Sequence, residues 1–242
     1  MCGITGIWNF NDQAISKPML EHFTNSLTHR GPDGNGFYID KDANLGFGHR
    51  RLAIIDTTDT GHQPMSYGNG RYWITFNGEI YNFLELRDEL KKDGYQFFTE
   101  SDTEVVIAAY DRWGEDCQLH FNGMWAFAIW DKKKKKLFIS RDRFGIKPLL
   151  YYSDNKHFAF ASEMKAFLNL NWFPLEFDAS MISTSLLDSK LVEGTEQTLL
   201  KNLHRLLGGY CLTLQQDKGL KYVVGGIHLI IWKLSLLHMK TK

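Results

Sequence analysis

Residues 1–8, "MCGITGIW", place a cysteine second in the chain, directly before a glycine-spaced apolar run. Such a run predicts a buried β-strand over residues 3–10. Removal of Met1 would leave Cys2 as the first residue, with a thiol and a free α-amine on one carbon. A thiol of pKa ~8.5 needs a base at neutral pH, and an α-amine of pKa ~7.7–8.0 can be that base. The stretch therefore indicates either an N-terminal nucleophile or a cysteine that packs as a small hydrophobe.

Composition excludes several classes of function. The 28 Lys and Arg residues balance the 28 Asp and Glu residues, so no bulk charge favours nucleic acid or an anionic membrane. The three cysteines, Cys2, Cys117 and Cys211, lack CxxC spacing, which argues against a disulfide framework and against a metal site. We see no signal peptide and no apolar run of the ~18 residues that a membrane span needs. A cytoplasmic protein with no membrane partner is expected.

Hydrophobic patterning predicts strands in blocks and helices in blocks. Strands are expected at 3–10, 36–40, 45–49, 52–56, 71–76, 124–131, 136–142 and in a hairpin over 149–161. Helices are expected near 17–28, 82–92 and 101–113, with Asn82 and Ser101 as N-caps followed three residues later by Glu85 and Glu104. This order favours packed layers, two sheets with helices outside, over alternating βαβ units.

The segment "FNGEIYN", residues 76–82, supports two interpretations. Asn77-Gly78 between apolar stretches is a strong signal for a type I′ hairpin turn. The same pair could instead aim the Asn77 side-chain amide and the Gly78 backbone N–H at a developing oxyanion. A thiol that attacks an amide carbonyl requires two such donors.

Charged residues near two predicted element ends are further candidates. In "GHRRLAIID", residues 48–56, an arginine at a strand end could bind a carboxylate bidentately, or form an ordinary surface ion pair. Asp102 falls in the first turn of a predicted helix, where backbone N–H groups favour its ionised form. Either Asp102 only stabilises the N-terminus of the helix, or its carboxylate is fixed there to bind a ligand's ammonium group.

A lysine run and three histidines are weaker candidates for a functional site. The lysine run 132–136 predicts a solvated hairpin turn, with a phosphate-binding patch as the alternative. His29, His49 and His62 lack metal-ligand spacing and are expected to be structural. What remains is a nucleophile with its own base, an oxyanion pair, one cation and one anion. Glutamine or asparagine presents the complementary carboxylate, ammonium and amide carbonyl.

The ordered motifs resemble those of class II glutamine amidotransferase domains. They are "MCGITG", "HRGPDG", "GHRRLAIID", "QPM", "FNGEIYN", "SDTEV", "GMWAFAIWD", "RDRFGIKPLLYY" and "ASEMKA". The chain is most similar to the N-terminal half of glutamine-hydrolysing asparagine synthetases. The resemblance covers residues 1–215, which we take as one amidotransferase domain, and is best over 2–170.

The resemblance implies an N-terminal-nucleophile hydrolase fold, an α+β four-layer αββα sandwich. It also implies roles for eight residues: Cys2 as nucleophile, Asn77 and Gly78 as oxyanion hole, and Arg51, Leu52, Ile54, Glu79 and Asp102 as the residues that bind glutamine. The segments "RDRFGIKPL" and "ASEMKA" are implied to build the core and to face a partner domain.

Glutamine hydrolysis of this type implies no cofactor and no metal in this domain. The thiolate attacks the side-chain amide, ammonia leaves, and water hydrolyses the thioester. In the full enzymes, ammonia passes to a synthetase domain that uses ATP and Mg to activate aspartate. That domain or subunit in trans, and a second copy of the chain as a homodimer, are the implied protein partners.

The end of the chain departs from the family. No Ser-Gly-Gly pyrophosphate loop is present, and residues 216–242 form an atypical apolar tail. We interpret the chain as a truncated product or a natural half-protein that does not make asparagine alone. Two alternatives stay open: a catalytically weak glutamine-binding or regulatory half-protein, and a related amidotransferase for another acceptor.

Overall fold

The computed structural model describes residues 1–11, 13–53 and 61–215 and the short strand Val223–Val224. The strands within these residues are β1 (Gly3–Asn9), β2 (Gly34–Asp40), β3 (Leu45–Arg51), β4 (Met65–Tyr67), β5 (Tyr72–Ile80), β6 (Gly123–Asp131), β7 (Lys136–Arg141), β8 (Leu150–Ser153), β9 (His157–Ala161), β10 (Leu203–Arg205), β11 (Cys211–Gln215) and β12 (Val223–Val224). The α-helices are α1 (Lys17–Asn25), α2 (Phe83–Lys92), α3 (Asp102–Trp113), α4 (Ala179–Leu187) and α5 (Ser189–Glu193). Two 3₁₀ helices span Gly114–His120 and Met164–Asn169.

The strands form two antiparallel six-stranded sheets. The first sheet has the order β10-β8-β9-β1-β3-β2, and the second has the order β12-β11-β7-β6-β5-β4. In the second sheet, β5 and β6 pair along their whole length, from Tyr72 opposite Asp131 to Ile80 opposite Gly123. In the first sheet, β1 lies between β3 and β9. The predicted strand 52–56 is not formed at Leu52 and Ala53, and its other residues lie outside the described part.

Both sheets are buried on both faces, which stacks four layers. On β1, Ile4 and Trp8 pack between the sheets, whereas Ile7 packs with Leu20 and Phe23 of α1. Successive strand residues point to opposite faces, so one strand serves two cores. The 3₁₀ helix Met164–Asn169 covers the same outer face through Phe167.

The second sheet repeats this arrangement with the other helices. Ala126, Ala128 and Trp130 of β6 face the first sheet. Phe127 and Ile129 point to the opposite face and belong to the core that includes α2 and α3. The layers therefore run helix, sheet, sheet, helix, and the predicted α+β four-layer αββα sandwich is confirmed.

Neither predicted capping box is formed in the structure. Ser101 does cap α3, because its hydroxyl accepts the Thr103 N–H at 3.1 Å. The Glu104 carboxylate instead accepts the backbone N–H groups of Phe98 and Thr99. The Asn82 side chain makes no cap bond in α2 and is hydrogen-bonded to the backbone of residues 120 and 122. Glu104 thus binds the segment just before its own helix, whereas Asn82 makes long-range contacts.

None of the helices in the described part of the chain is long and apolar enough to cross a bilayer. Of the apolar segment 216–242, the described residues Val223 and Val224 pair with Thr213 and Leu212 of β11.

The close approach of β1 to β9 gives a test of the packing. A Cβ on Gly6 would lie 2.1 Å from Cε1 of Phe160, whose ring is fully enclosed between the sheets. We expect Gly6→Ala to lower the free energy of unfolding by about 1–3 kcal/mol, as overpacking of a dense core does. Urea denaturation measures this.

The matched control is Gly194→Ala, because a Cβ there meets nothing within 4 Å and the residue is already right-handed helical. We expect its stability to be unchanged or raised by about 0.4–1 kcal/mol. Equal stability of the two alanine variants would contradict this account of the core.

Candidate active site

Cys2 lies directly before β1, and its position is held on two sides. Its carbonyl accepts the Nε–H of Arg30 at 2.9 Å, and Arg30 also pairs with Glu163 at 2.9 Å. Its Sγ accepts the Leu52 N–H at 3.4 Å and lies 3.6 Å from the Leu52 carbonyl oxygen. Met1 precedes it, and the Met1 ammonium donates to the Arg30 carbonyl at 3.2 Å. The thiol is therefore fixed against the residue that follows β3.

Burial raises the pKa of the Cys2 thiol. Four groups oppose this shift: the Leu52 N–H, the N-terminal ammonium, Lys147 and Arg51, in that order. Desolvation disfavours the charged form of any acid, and here it outweighs the favourable charges. The thiol is thus protonated at neutral pH and needs a base before it can act as a nucleophile.

Asn77 and Gly78 lie inside β5, opposite Ala126 and Trp125, so the hairpin-turn interpretation is wrong. Pairing of nine residues with β6 outweighs the local turn preference. The Asn77 side chain is 1% exposed, and its Nδ2 has no hydrogen-bond partner. A buried unpaired donor costs free energy, and such exceptions in native structures call for an explanation such as a catalytic role.

No side chain fits at Gly78. A Cβ there would lie 2.4 Å from the Met124 carbonyl oxygen and 2.5 Å from the Phe76 ring. Glycine is therefore required for close packing of β5 against β6 rather than for a left-handed turn.

The peptide of Phe76, just before this pair, is held by two side chains. Gln63 Oε1 accepts the Phe76 N–H at 2.7 Å, and His49 Nε2 donates to the Phe76 carbonyl at 3.1 Å. Gln63 also donates to the Thr103 hydroxyl at 3.1 Å, which links β5 to α3. Burial lowers the pKa of His49 to about 3, so its ring is neutral and structural, as predicted.

Asp102 is the first residue of α3, and its Oδ2 accepts the Ile80 N–H at 3.0 Å. Its pKa is raised to about 6, because burial outweighs the backbone N–H groups of Ile80 and Thr103, and Glu79 adds repulsion. The expectation that the helix start favours the ionised carboxylate is therefore wrong in its net effect. The group still titrates below neutral pH, so an ammonium ligand can find it charged.

One pocket unites the predicted residues that the structure describes. Its lining includes Cys2, Arg51, Leu52, Asn77, Gly78, Glu79 and Asp102. Ile54 lies outside the described residues. Gln63, Thr103 and Lys147 also line it and were missed. Gln63 and Lys147 belong to the quoted motifs "QPM" and "RDRFGIKPL", which was the one available signal.

The donor set of the pocket is a thiol, amides, two cations and two carboxylates. Within the described residues, no cluster of three or more His, Cys, Asp or Glu side chains could hold a metal ion. An amino acid with a side-chain amide fits these groups.

Two solved structures share the fold. One is the glutamine phosphoribosylpyrophosphate amidotransferase of Bacillus subtilis in complex with ADP and GMP, with a TM-score of 0.67 and 20% identity over 92% of this chain and 49% of that one. The other is described as the allosteric regulatory enzyme of purine biosynthesis, with a TM-score of 0.66 and 21% identity over the same shares. These likenesses show that the chain shares the fold of the two proteins.

A family model of the glutamine amidotransferase domain matches residues 1–222, and the chain belongs to that family. Asparagine synthetase 1 (glutamine-hydrolyzing) of B. subtilis strain 168 is 45% identical over 171 residues, which are 69% of this chain and 27% of that protein. Asparagine synthetase 3 of the same strain is 44% identical over the same shares. The chain therefore spans about a quarter of the length of these curated relatives, and the resemblance is confirmed.

The raised pKa of Asp102 predicts how binding depends on pH. Glutamine carries an ammonium group, so it should bind more tightly as the pH rises through about 6 and Asp102 ionises. Its Kd at pH 5 should be about tenfold higher than at pH 7. Calorimetry on the Cys2→Ala variant measures binding without turnover.

The control for this prediction is Asp102→Asn. The variant should bind glutamine weakly at every pH and lose the dependence between pH 5 and 7. A wild-type pH slope in the asparagine variant would assign the titration to another group.

Proposed function

We propose that this chain is the glutamine amidotransferase half of an asparagine synthetase. It hydrolyses the side-chain amide of glutamine and supplies ammonia to an ATP- and Mg-dependent domain or subunit that activates aspartate. The observation that carries the hydrolysis is the unpaired, buried Nδ2 of Asn77, which lies on the wall of the pocket that Cys2 also lines. A donor left without a partner in the free protein is ready to bind an oxyanion.

The mechanism starts with loss of Met1, which frees the α-amine of Cys2. The amine takes the proton from Sγ, and the thiolate attacks the amide carbon of glutamine. The oxyanion accepts from Asn77 Nδ2 and the Gly78 backbone. The ammonium that formed on the amine then returns its proton to the leaving nitrogen, ammonia departs, and water hydrolyses the glutamyl thioester.

Binding of glutamine uses both ends of the pocket. Arg51 binds the α-carboxylate bidentately, since a guanidinium matches carboxylate geometry. Asp102 and Glu79 bind the α-ammonium, and Leu52 forms the wall beside the thiol. The role of Ile54 beside Leu52 stays a prediction.

The wider setting belongs to the same proposal. The relatives named asparagine synthetase are about four times as long as the aligned segment, which supports a synthetase domain as the recipient of ammonia. The hydrolytic steps require no cofactor in this domain. A cytoplasmic location and a homodimer are parts of the proposal that rest on the family alone.

The nucleophile is tested by intact-mass spectrometry after reaction with a diazo ketone analogue of glutamine. We expect a chain without Met1 that carries one adduct on Cys2, while Cys117 and Cys211 stay unmodified because they are buried. Cys2→Ala should carry no adduct and should release no glutamate from glutamine. An adduct on another residue, or hydrolysis by the alanine variant, would overturn the assignment.

Asn77→Ala tests the oxyanion hole. Removal of one such donor should lower kcat about 10²–10³-fold. KM should change little, because the donor acts on charge that develops after binding. Steady-state glutamate release measures both constants. Asn77→Asp, which keeps the shape and replaces the donor by an acceptor, should be at least as inactive; near-normal turnover in either variant would contradict the role.

A glutamine-binding module without turnover is the second candidate. It would hold for a chain that retains Met1, since Met1 lines the pocket and its peptide bond would occupy the Cys2 nitrogen. A thiol whose pKa is raised by burial then has no amine as its base. Retained Met1, together with glutamine binding and no glutamate release, would establish this function instead.

A further inference from the structure

The loop that follows β7 is held from within by a buried carboxylate. Asp142 is fully buried and accepts the backbone N–H groups of Phe144 at 3.1 Å, Ile146 at 2.9 Å and Lys147 at 3.0 Å. It also accepts the Trp125 N–H of β6 at 3.3 Å. Hydrogen bonds to a charged acceptor are the strong ones, so this loop is tied to the second sheet.

Arg141, which precedes Asp142, binds carbonyl groups of the same loop. Arg141 donates from Nε to the Lys147 carbonyl at 2.7 Å and from Nη2 to the Gly145 carbonyl at 2.5 Å. The N–H and the C=O of Lys147 are therefore both bonded to buried charged side chains. The fold sets the place from which the Lys147 side chain extends.

Lys147 extends into the pocket of Cys2. It is 6% exposed and lines the same pocket as Cys2, Arg51 and Asn77. Lysine is rarely this buried in a folded protein, so the position of Lys147 in this pocket calls for an explanation.

The charges of glutamine itself do not account for a lysine at this position. The groups that face the thiol and its pocket are the N-terminal ammonium, Arg51 of β3 and Lys147, against Glu79 of β5 and Asp102 of α3. With Arg51 on the α-carboxylate and the two acids around the α-ammonium, glutamine has no further negative charge. The charge left for Lys147 is the one that appears during the reaction, on Sγ and then on the attacked carbonyl oxygen.

We propose that the Lys147 ammonium stabilises the Cys2 thiolate and the anionic intermediate that follows it, and so activates the nucleophile electrostatically. This inference rests on the proposed function and adds a residue to that site. Lys147 gains and loses no proton: the Sγ proton goes to the α-amine, and Lys147 supplies a fixed positive charge. Among the side-chain cations, Lys147 contributes more than Arg51 to lowering the pKa of the thiol.

The test is the pH dependence of Cys2 alkylation by iodoacetamide, a neutral reagent that reacts with the thiolate. In Lys147→Met the midpoint should rise, by about one pH unit, because the variant removes a cation that lowers the pKa of the thiol. In Lys147→Arg it should stay near the wild-type value, because the charge is kept. The exposed Lys190→Met is the matched control and should not move it.

Kinetics on the same proteins separates activation from binding. Lys147→Met should lower kcat for glutamate release about tenfold and change KM for glutamine by less than about threefold. Circular dichroism and thermal melting check the fold, and Lys147→Gln serves as a second neutral variant if the methionine variant does not fold.

An unchanged alkylation midpoint in a folded neutral variant would overturn the role of Lys147. A raised KM with an unchanged midpoint would do the same, since it assigns the lysine to substrate binding. Both outcomes leave glutamate release by the wild-type chain intact. Failure of the proposed function is distinguishable, because the wild-type chain itself would then release no glutamate.

Discussion

The register of β1 between β3 and β9 is the constraint on which the site depends. Gly3 lies opposite Arg50, and Thr5 lies opposite both Gly48 and Ala161. This register brings Cys2 beside the end of β3, where its thiol meets Leu52. A slip by one residue would turn the buried side chains of β1 to the opposite face, so packing between the sheets fixes the position of Cys2.

The two sheets contribute different halves of the chemistry. The first sheet supplies the thiol and the guanidinium of Arg51, at the ends of neighbouring strands. The second sheet supplies the Asn77 amide from β5, and α3 supplies the Asp102 carboxyl. The Ile80 N–H joins β5 to Asp102, which locks these two parts together. Packing of the sandwich therefore assembles the pocket, since no single element holds all of it.

Desolvation governs the protonation of the site. Burial raises the pKa of the Cys2 thiol and of the Asp102 carboxyl and lowers that of the His49 imidazole. In each case the neutral form gains, because burial removes water from the charged one. Burial in the pocket thus favours the protonated thiol of Cys2 and shifts the ionisation of Asp102 to higher pH. This is the physical setting in which one lysine, held by its own backbone, matters for the thiol.

Local sequence by itself determined many of the elements and offered most of the candidate side chains. Alternating and continuous apolar runs predicted β1, β5, β6 and β7, because side-chain periodicity is a property of the strand. The ordered motifs proposed Cys2, Arg51 and Asp102 as site residues, and the structure places all three in one pocket. The tertiary structure alone decided the rest. Asn77 and Gly78 lie in a strand rather than a turn because β6 pairs with them. The pKa of Asp102 is raised because the pocket buries its carboxyl. Lys147 lines the pocket of Cys2 because Arg141 and Asp142 hold its loop. In each case the outcome depends on residues far apart in the chain, as Lys147 and Cys2 are, and no local pattern records such contacts.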